Sequence, residues 1–181
     1  MKILIFGASG SGTTTLASSL AKKTGFPHLD VDDYYWKLTN PPFQEKVKPK
    51  IRQQNLLLDF QNHENVIVCG SMVSWGNVWK TAFDLVVFLY LKNDIRMQRL
   101  KNREIERYGK KLLFHKQTQE NSKAFIEWAN KYEDSNFCGR SLKIHNKWMA
   151  KIDCPILRID GSNSLAEKTN FIQKHLKTKI N

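Results

Sequence analysis

Apolar and polar positions along the chain alternate between two rhythms. Residues 2–6 (KILIF) form an unbroken apolar run that stops at Gly7. A short run of branched residues, apolar on both faces, predicts a buried central strand. From 13 to 24 the rhythm changes. Leu16, Ala17, Leu20 and Ala21 recur at helical spacing and predict an amphipathic helix ending near Gly25. Residues 27–31 read as a second strand, closing in the acidic group Asp30, Asp32 and Asp33. Pro41, Pro42 and Pro49 place a loop over 38–50. Helix is expected from 51 to 62, strands over 66–69 and 85–91, and a basic helix over 93–108. Residues 109–119 are polar and open at Gly109, which predicts a flexible segment. Helices over 120–133 and 139–150, a strand over 156–159 and a closing helix over 164–177 complete the pattern.

Strands alternating with helices define an α/β fold: a five-stranded parallel sheet covered by helices on both faces. The 181 residues suit one domain, 1–181. Residues 104–138 break the strand–helix rhythm and read as a small lid insertion. There is no internal repeat and no low-complexity stretch.

Charge changes the picture more than composition does. Lys and Arg total 29 against 17 Asp and Glu, a net charge of +12. That excess favours anionic partners: nucleotides, phosphorylated metabolites or nucleic acid. Hydrophobic residues make up 41% of the chain, so a packed core is expected rather than disorder. No segment approaches the ~18 apolar residues of a membrane span, and the short run before Gly7 is no secretory signal. Cys69, Cys138 and Cys154 form no CxxC pair, and an odd, unpaired count fits a reducing cytosol. A cytoplasmic protein with no membrane association follows.

The sharpest local signal is Gly7-Ala8-Ser9-Gly10-Ser11-Gly12-Thr13-Thr14-Thr15, between a strand and a helix. This is the context of a phosphate-binding loop. Glycines let successive N–H groups turn inward, and the helix N-terminus adds partial positive charge. Gly7, Ser9, Gly10, Ser11, Gly12, Thr13, Thr14 and Thr15 are therefore the expected binders of the triphosphate of ATP or GTP. Thr14 holds the position whose hydroxyl binds Mg²⁺. GxxxxGK[ST] calls for Lys at position 13, where this chain has Thr13. The ammonium that reaches the β- and γ-phosphates is missing, so binding is expected and catalysis is the open question.

With this loop, the acidic end of the second strand, the Gly70-Ser71 turn and the arginines of 96–107, the chain resembles the adenylate kinase/shikimate kinase group of P-loop small-molecule kinases. It is also similar to bacterial ATP-binding proteins carrying the string GASGSGTTTL. The resemblance implies ATP and Mg²⁺ as cofactors, with an Arg-x-x-x-Arg pair at Arg99 and Arg103, one near the base and one on the phosphates. It also implies a phosphate-gripping arginine after the lid, matched in order by Arg140. Phosphoribulokinases resemble the chain at this loop and also carry Thr there, which implies that Thr13 is compatible with phosphoryl transfer.

Asp32 lies at the sheet edge where ligands of open α/β folds bind, and is a candidate base for an acceptor hydroxyl or a holder of Mg²⁺ through water. A solvated acidic turn explains Asp30 and stands evenly beside the base reading for Asp32. Arg96, Arg99, Arg103 and Arg107 form one helical stripe, where a solvated basic face is the plain alternative. Lys110 and Lys111 are candidates to replace the absent lysine. Tyr34, Tyr35, Trp36 and Trp75 are either core or stacking groups. The expected activity is transfer of the γ-phosphate of ATP to a nucleotide, nucleoside or small hydroxylated metabolite. Two rivals stand beside it: a non-catalytic nucleotide sensor, and a nucleic-acid-binding module, which no motif supports. Acceptor identity and oligomeric state are not legible.

Overall fold

A computed structural model describes the backbone of residues 1–180 and the side chains of 1–176. Its five strands are β1 (Lys2–Gly7), β2 (His28–Asp30), β3 (Val66–Cys69), β4 (Leu85–Tyr90) and β5 (Ile156–Asp160). They form one parallel sheet in the order β2-β3-β1-β4-β5. The most apolar runs are central: β1, β3 and β4 are buried almost throughout, and the polar β2 and β5 are the edges.

Period-two alternation sends the two faces of β1 into two cores. Leu4 and Phe6 pack with Val66, Val68, Trp75, Trp79 and Trp148. Helices α3 (Pro49–Gln61) and α7 (Leu142–Met149) contribute Leu56, Phe60 and Trp148 to that side. Ile3 and Ile5 meet Leu16, Ala17 and Leu20 of α1 (Thr13–Thr24) and Ile172 and Leu176 of α8 (Leu165–Ile180). Helix α8 starts in a capping box, Ser164 and Glu167 bonding each other's backbone N–H. Lys177 and Lys179, in the closing part of this helix, lie outside the described side chains.

Three departures from the sequence pattern have a local cause. Asp30 accepts from the Asp32 N–H at 3.0 Å, so β2 stops there and a short helix α2 (Val31–Tyr35) begins. The expected flexible segment 109–119 is helical. After α4 (Asn93–Tyr108) comes α5 (Lys111–Phe114), and α6 (Lys116–Asn130) starts at Lys116. His115 caps α6 by accepting from the Thr118 N–H, a job that Ser or Asp usually performs, so the start carries no usual signal. Helix α7 begins at Leu142 rather than 139, because Ser141 is its cap.

The segment 104–121 rests on loop 36–47. Arg107 lies over the Phe43 ring at 4.2 Å, and Tyr108 donates to the Pro42 carbonyl at 3.3 Å. Asn121 donates to Gln44 at 2.9 Å.

Candidate nucleotide and acceptor site

The turn from β1 into α1 is fixed by what its glycines avoid. A Cβ on Gly7 would collide with the Leu89 carbonyl oxygen. Gly10 combines φ +83° with a would-be Cβ 2.9 Å from Leu100 and 3.0 Å from the Arg96 carbonyl oxygen. Gly12, at φ 94°, is the N-cap of α1, and no side chain caps this helix. The first-turn N–H groups, those of Thr13, Thr14 and Thr15, are thus left for an anion. Ser11 is 1% exposed and its hydroxyl has no hydrogen-bond partner among the described residues. Orphaned donors around a helix N-terminus fit a phosphate chain. Ser9 and Gly10 are half-buried, and Thr14 and Thr15 are exposed beside the loop.

The Thr14 hydroxyl donates to Asp30 at 2.8 Å. Asp30 is therefore more than the capping acid of α2: it faces the threonine expected to bind Mg²⁺. Two oxygens side by side next to a phosphate loop suit that hard cation.

Helix α4 disperses its arginines rather than presenting a solvated stripe. Arg96 is fully buried. It donates to the Ser9 carbonyl at 3.3 Å, to the Ala129 carbonyl at 3.4 Å and to both Glu133 oxygens at 2.9 and 2.7 Å. It thereby straps the phosphate loop to the end of α6. The Arg99 guanidinium lies 3.8 Å from where a Gly12 Cβ would be, at the mouth of the loop. Arg103 is half-buried, and its Nε has no partner among the described residues. Arg107 pairs with Glu104 at 3.5 Å. Lys110 and Lys111 are both exposed, and Lys111 donates to Asn40 at 3.3 Å.

Asp32, Arg103 and Arg140 converge. Water reaches Asp32 from the open side of the cleft, while protein crowds its other sides. Burial and the neighbouring Asp30 push its carboxyl above the ordinary range; Arg140 and Arg103 oppose this. Burial lowers both arginines, and Asp32 offsets part of that in each.

Arg52 is a member of this cluster that the sequence analysis missed. It is 7% exposed, and its guanidinium stacks 4.1 Å from the Tyr35 ring and 5.2 Å from Trp75. Its Nε has no partner among the described residues, and its charge acts on Arg140. Within α3 it is one basic residue among polar neighbours, so nothing in the local pattern marks it. Trp75 is core at 1% exposure, while Tyr34, Tyr35 and Trp36 are half-buried at the cleft wall.

Beneath Arg140 lies a buried polar network. His145 bonds Ser71 at 2.9 Å through Nε2 and Tyr132 at 2.7 Å through Nδ1. Burial, with Arg140 beside it, pulls the His145 pKa down to about 3. Ser71 follows Gly70, whose φ of +108° and contact with Val31 exclude a side chain. On the other side of Asp30, burial and that carboxylate push the Cys69 thiol up.

A parallel sheet whose central strand turns through a glycine loop into a helix is the architecture of a P-loop nucleotide-binding protein. The AAA domain family matches residues 3–126. "Uncharacterized protein YqaC" of Bacillus subtilis (strain 168) is 40% identical over 174 residues, 96% of each chain. Shikimate kinase of Flavobacterium johnsoniae is 30% identical over 135 residues, 69% of this chain and 77% of that one. Deoxyadenosine kinase from M. mycoides, solved with bound dATP, shares the fold. Its TM-score is 0.58 over 98% of this chain and 100% of that chain, at 17% identity. The chain belongs to the AAA domain family of P-loop proteins, in the adenylate kinase/shikimate kinase-like group of small-molecule kinases. No helix among the described residues is long and apolar enough to cross a membrane.

Proposed function

We propose that the protein is an ATP-dependent kinase that phosphorylates a small anionic acceptor bearing a hydroxyl or phosphate. The observation that carries this reading is the cluster opposite the phosphate loop: one carboxylate, Asp32, flanked by Arg103 and Arg140, with Arg52 beside Arg140. A buried arginine whose Nε has no hydrogen-bond partner among the described residues fits a ligand carboxylate or phosphate, which its fork matches.

The loop amides of residues 10–15 would hold the triphosphate, and Thr14 with Asp30 would hold Mg²⁺. Magnesium-bound ATP supplies the phosphoryl group. Asp32 accepts the proton of the acceptor hydroxyl; its raised affinity for a proton makes it a stronger base than an ordinary aspartate. Arg52 and Arg140 grip the acceptor's anionic group. Arg103 and Arg99 neutralise the transferring phosphoryl, the task a lysine at position 13 performs elsewhere. Lys110 and Lys111 are less suited to it, since both are exposed and Lys111 is engaged by Asn40. Residues 104–138 act as the lid, and free cysteines fit a cytoplasmic setting.

Thr13 favours a second reading, a nucleotide sensor without turnover. Phosphorus NMR separates the two, using ATP, Mg²⁺ and a pool of shikimate, nucleosides and nucleoside monophosphates. A new phosphoester or phosphoanhydride signal is expected. ATP that binds but stays intact with every acceptor overturns the kinase reading in favour of the sensor.

A further inference from the structure

The Thr14–Asp30 pair has neighbours that magnesium chemistry does not use. Strands β2 and β3 run parallel in the register His28↔Ile67, Leu29↔Val68, Asp30↔Cys69. Residues two apart share a sheet face, and register partners point the same way. His28, Asp30 and Cys69 therefore all face α1, where Thr14 opens the helix. Their ligand atoms lie within 4.8 Å of one another. His28 Nε2 is 3.1 Å from Cys69 Sγ, and the Cys69 thiol donates to Thr14 Oγ1 at 3.8 Å. Strand β2 is a sheet edge, and His28 and Asp30 are half-buried, so the cluster opens toward solvent there while Cys69 closes its inner side.

One imidazole nitrogen, one thiol sulfur and one carboxylate oxygen make a donor set for a borderline-soft ion. Zinc takes such mixed ligands in tetrahedral geometry; magnesium prefers oxygen ligands in an octahedron. The Thr14 hydroxyl or a water would complete the four. We propose that His28, Asp30 and Cys69 form a binding site for a zinc-class divalent ion, and that filling it displaces the magnesium-nucleotide complex.

The displacement follows from sharing: the ion takes the Asp30 oxygen that faces Thr14 and so removes that oxygen from the magnesium complex. The thiol gives its proton to solvent as sulfur binds, because a bound cation favours thiolate. Binding of the ion is independent of the kinase reading; the displacement rests on it.

Cobalt(II) is the probe, added to the nucleotide-free full chain in a Cys138→Ser, Cys154→Ser background, so that Cys69 is the sole thiol. One ion per chain is expected, with a thiolate-to-cobalt charge-transfer band and the visible bands of tetrahedral cobalt, bleached by Zn²⁺. His28→Gln keeps the strand and is expected to weaken binding by roughly tenfold or more. Cys69→Ala removes the charge-transfer band. Absence of that band, or full-strength binding in His28→Gln, overturns the site. ATP·Mg²⁺ affinity is measured first on metal-free protein, which tests the nucleotide reading alone. Zinc is expected to weaken it at least tenfold, with recovery on chelation. Cobalt binding with unchanged nucleotide affinity overturns the displacement.

Discussion

Asp32 is pulled in two directions. Protein surroundings, Asp30 and Asp33 hold its proton on; Arg140 and Arg103 help to remove it. The balance lies above the ordinary Asp value of 3.8. A general base works only when deprotonated, so activity should fall as pH drops through this raised value. The acid limb of the rate profile should lie above that of an unperturbed aspartate. Asp32→Asn is expected to cut turnover by about 10²–10⁴-fold, to abolish that limb and to leave ATP affinity nearly unchanged. Steady-state kinetics across pH, with an accepted substrate, checks all three. The sequence marked Asp32 because it follows a strand end. It gave no sign that Arg52 would come beside Arg140, because the two lie far apart in the chain and such pairing leaves no local pattern.

At the scale of elements, the β1–loop–α1 unit was readable in full, since strand, glycines and helix are consecutive. Gly10 tests how tightly that unit is specified. Alanine there meets both an unfavourable φ and the Leu100 side chain of α4. Gly10→Ala is therefore expected to weaken ATP binding at least about tenfold and lower stability by about 1–3 kcal/mol. Calorimetric titration and denaturant unfolding measure the two effects. Helix α4 was readable as a basic helix, but its stripe divides among four environments. Arg96 is buried under the loop, Arg99 stands at its mouth, Arg103 faces Asp32 and Arg107 pairs with Glu104. A helix running across the mouth of a cleft offers each turn a different neighbour. The segment 109–119 was misread as flexible because the caps of α5 and α6 are Lys110 and His115, residues without a start signal.

Across the whole molecule, the network joining Ser71, His145 and Tyr132 ties the turn after β3 to α7 and to the chain just beyond α6. His145 is fully buried and its pKa falls from 6.5 to about 3 on folding. Its folded value is depressed, so the unfolded chain binds the extra proton between those limits. Folding stability should rise with pH across that window, by about 1.4 kcal/mol per pH unit from this group. Below pH 6.5 stability is progressively lost. His145→Gln should flatten that slope, measured by urea unfolding between pH 4 and about 6.5.

Hydrophobic periodicity determined the five strands and the α/β class, and glycine spacing the turn from β1 into α1, because those depend on residues adjacent in the chain. Composition alone set the excess of positive charge. Only the tertiary structure decided which charges meet. Asp30 reached Thr14, Arg52 joined Arg140, and His28 came beside Cys69, each pair brought together by sheet order and helix packing across many residues of sequence. Contacts of that kind arise from long-range packing, which no local spacing encodes.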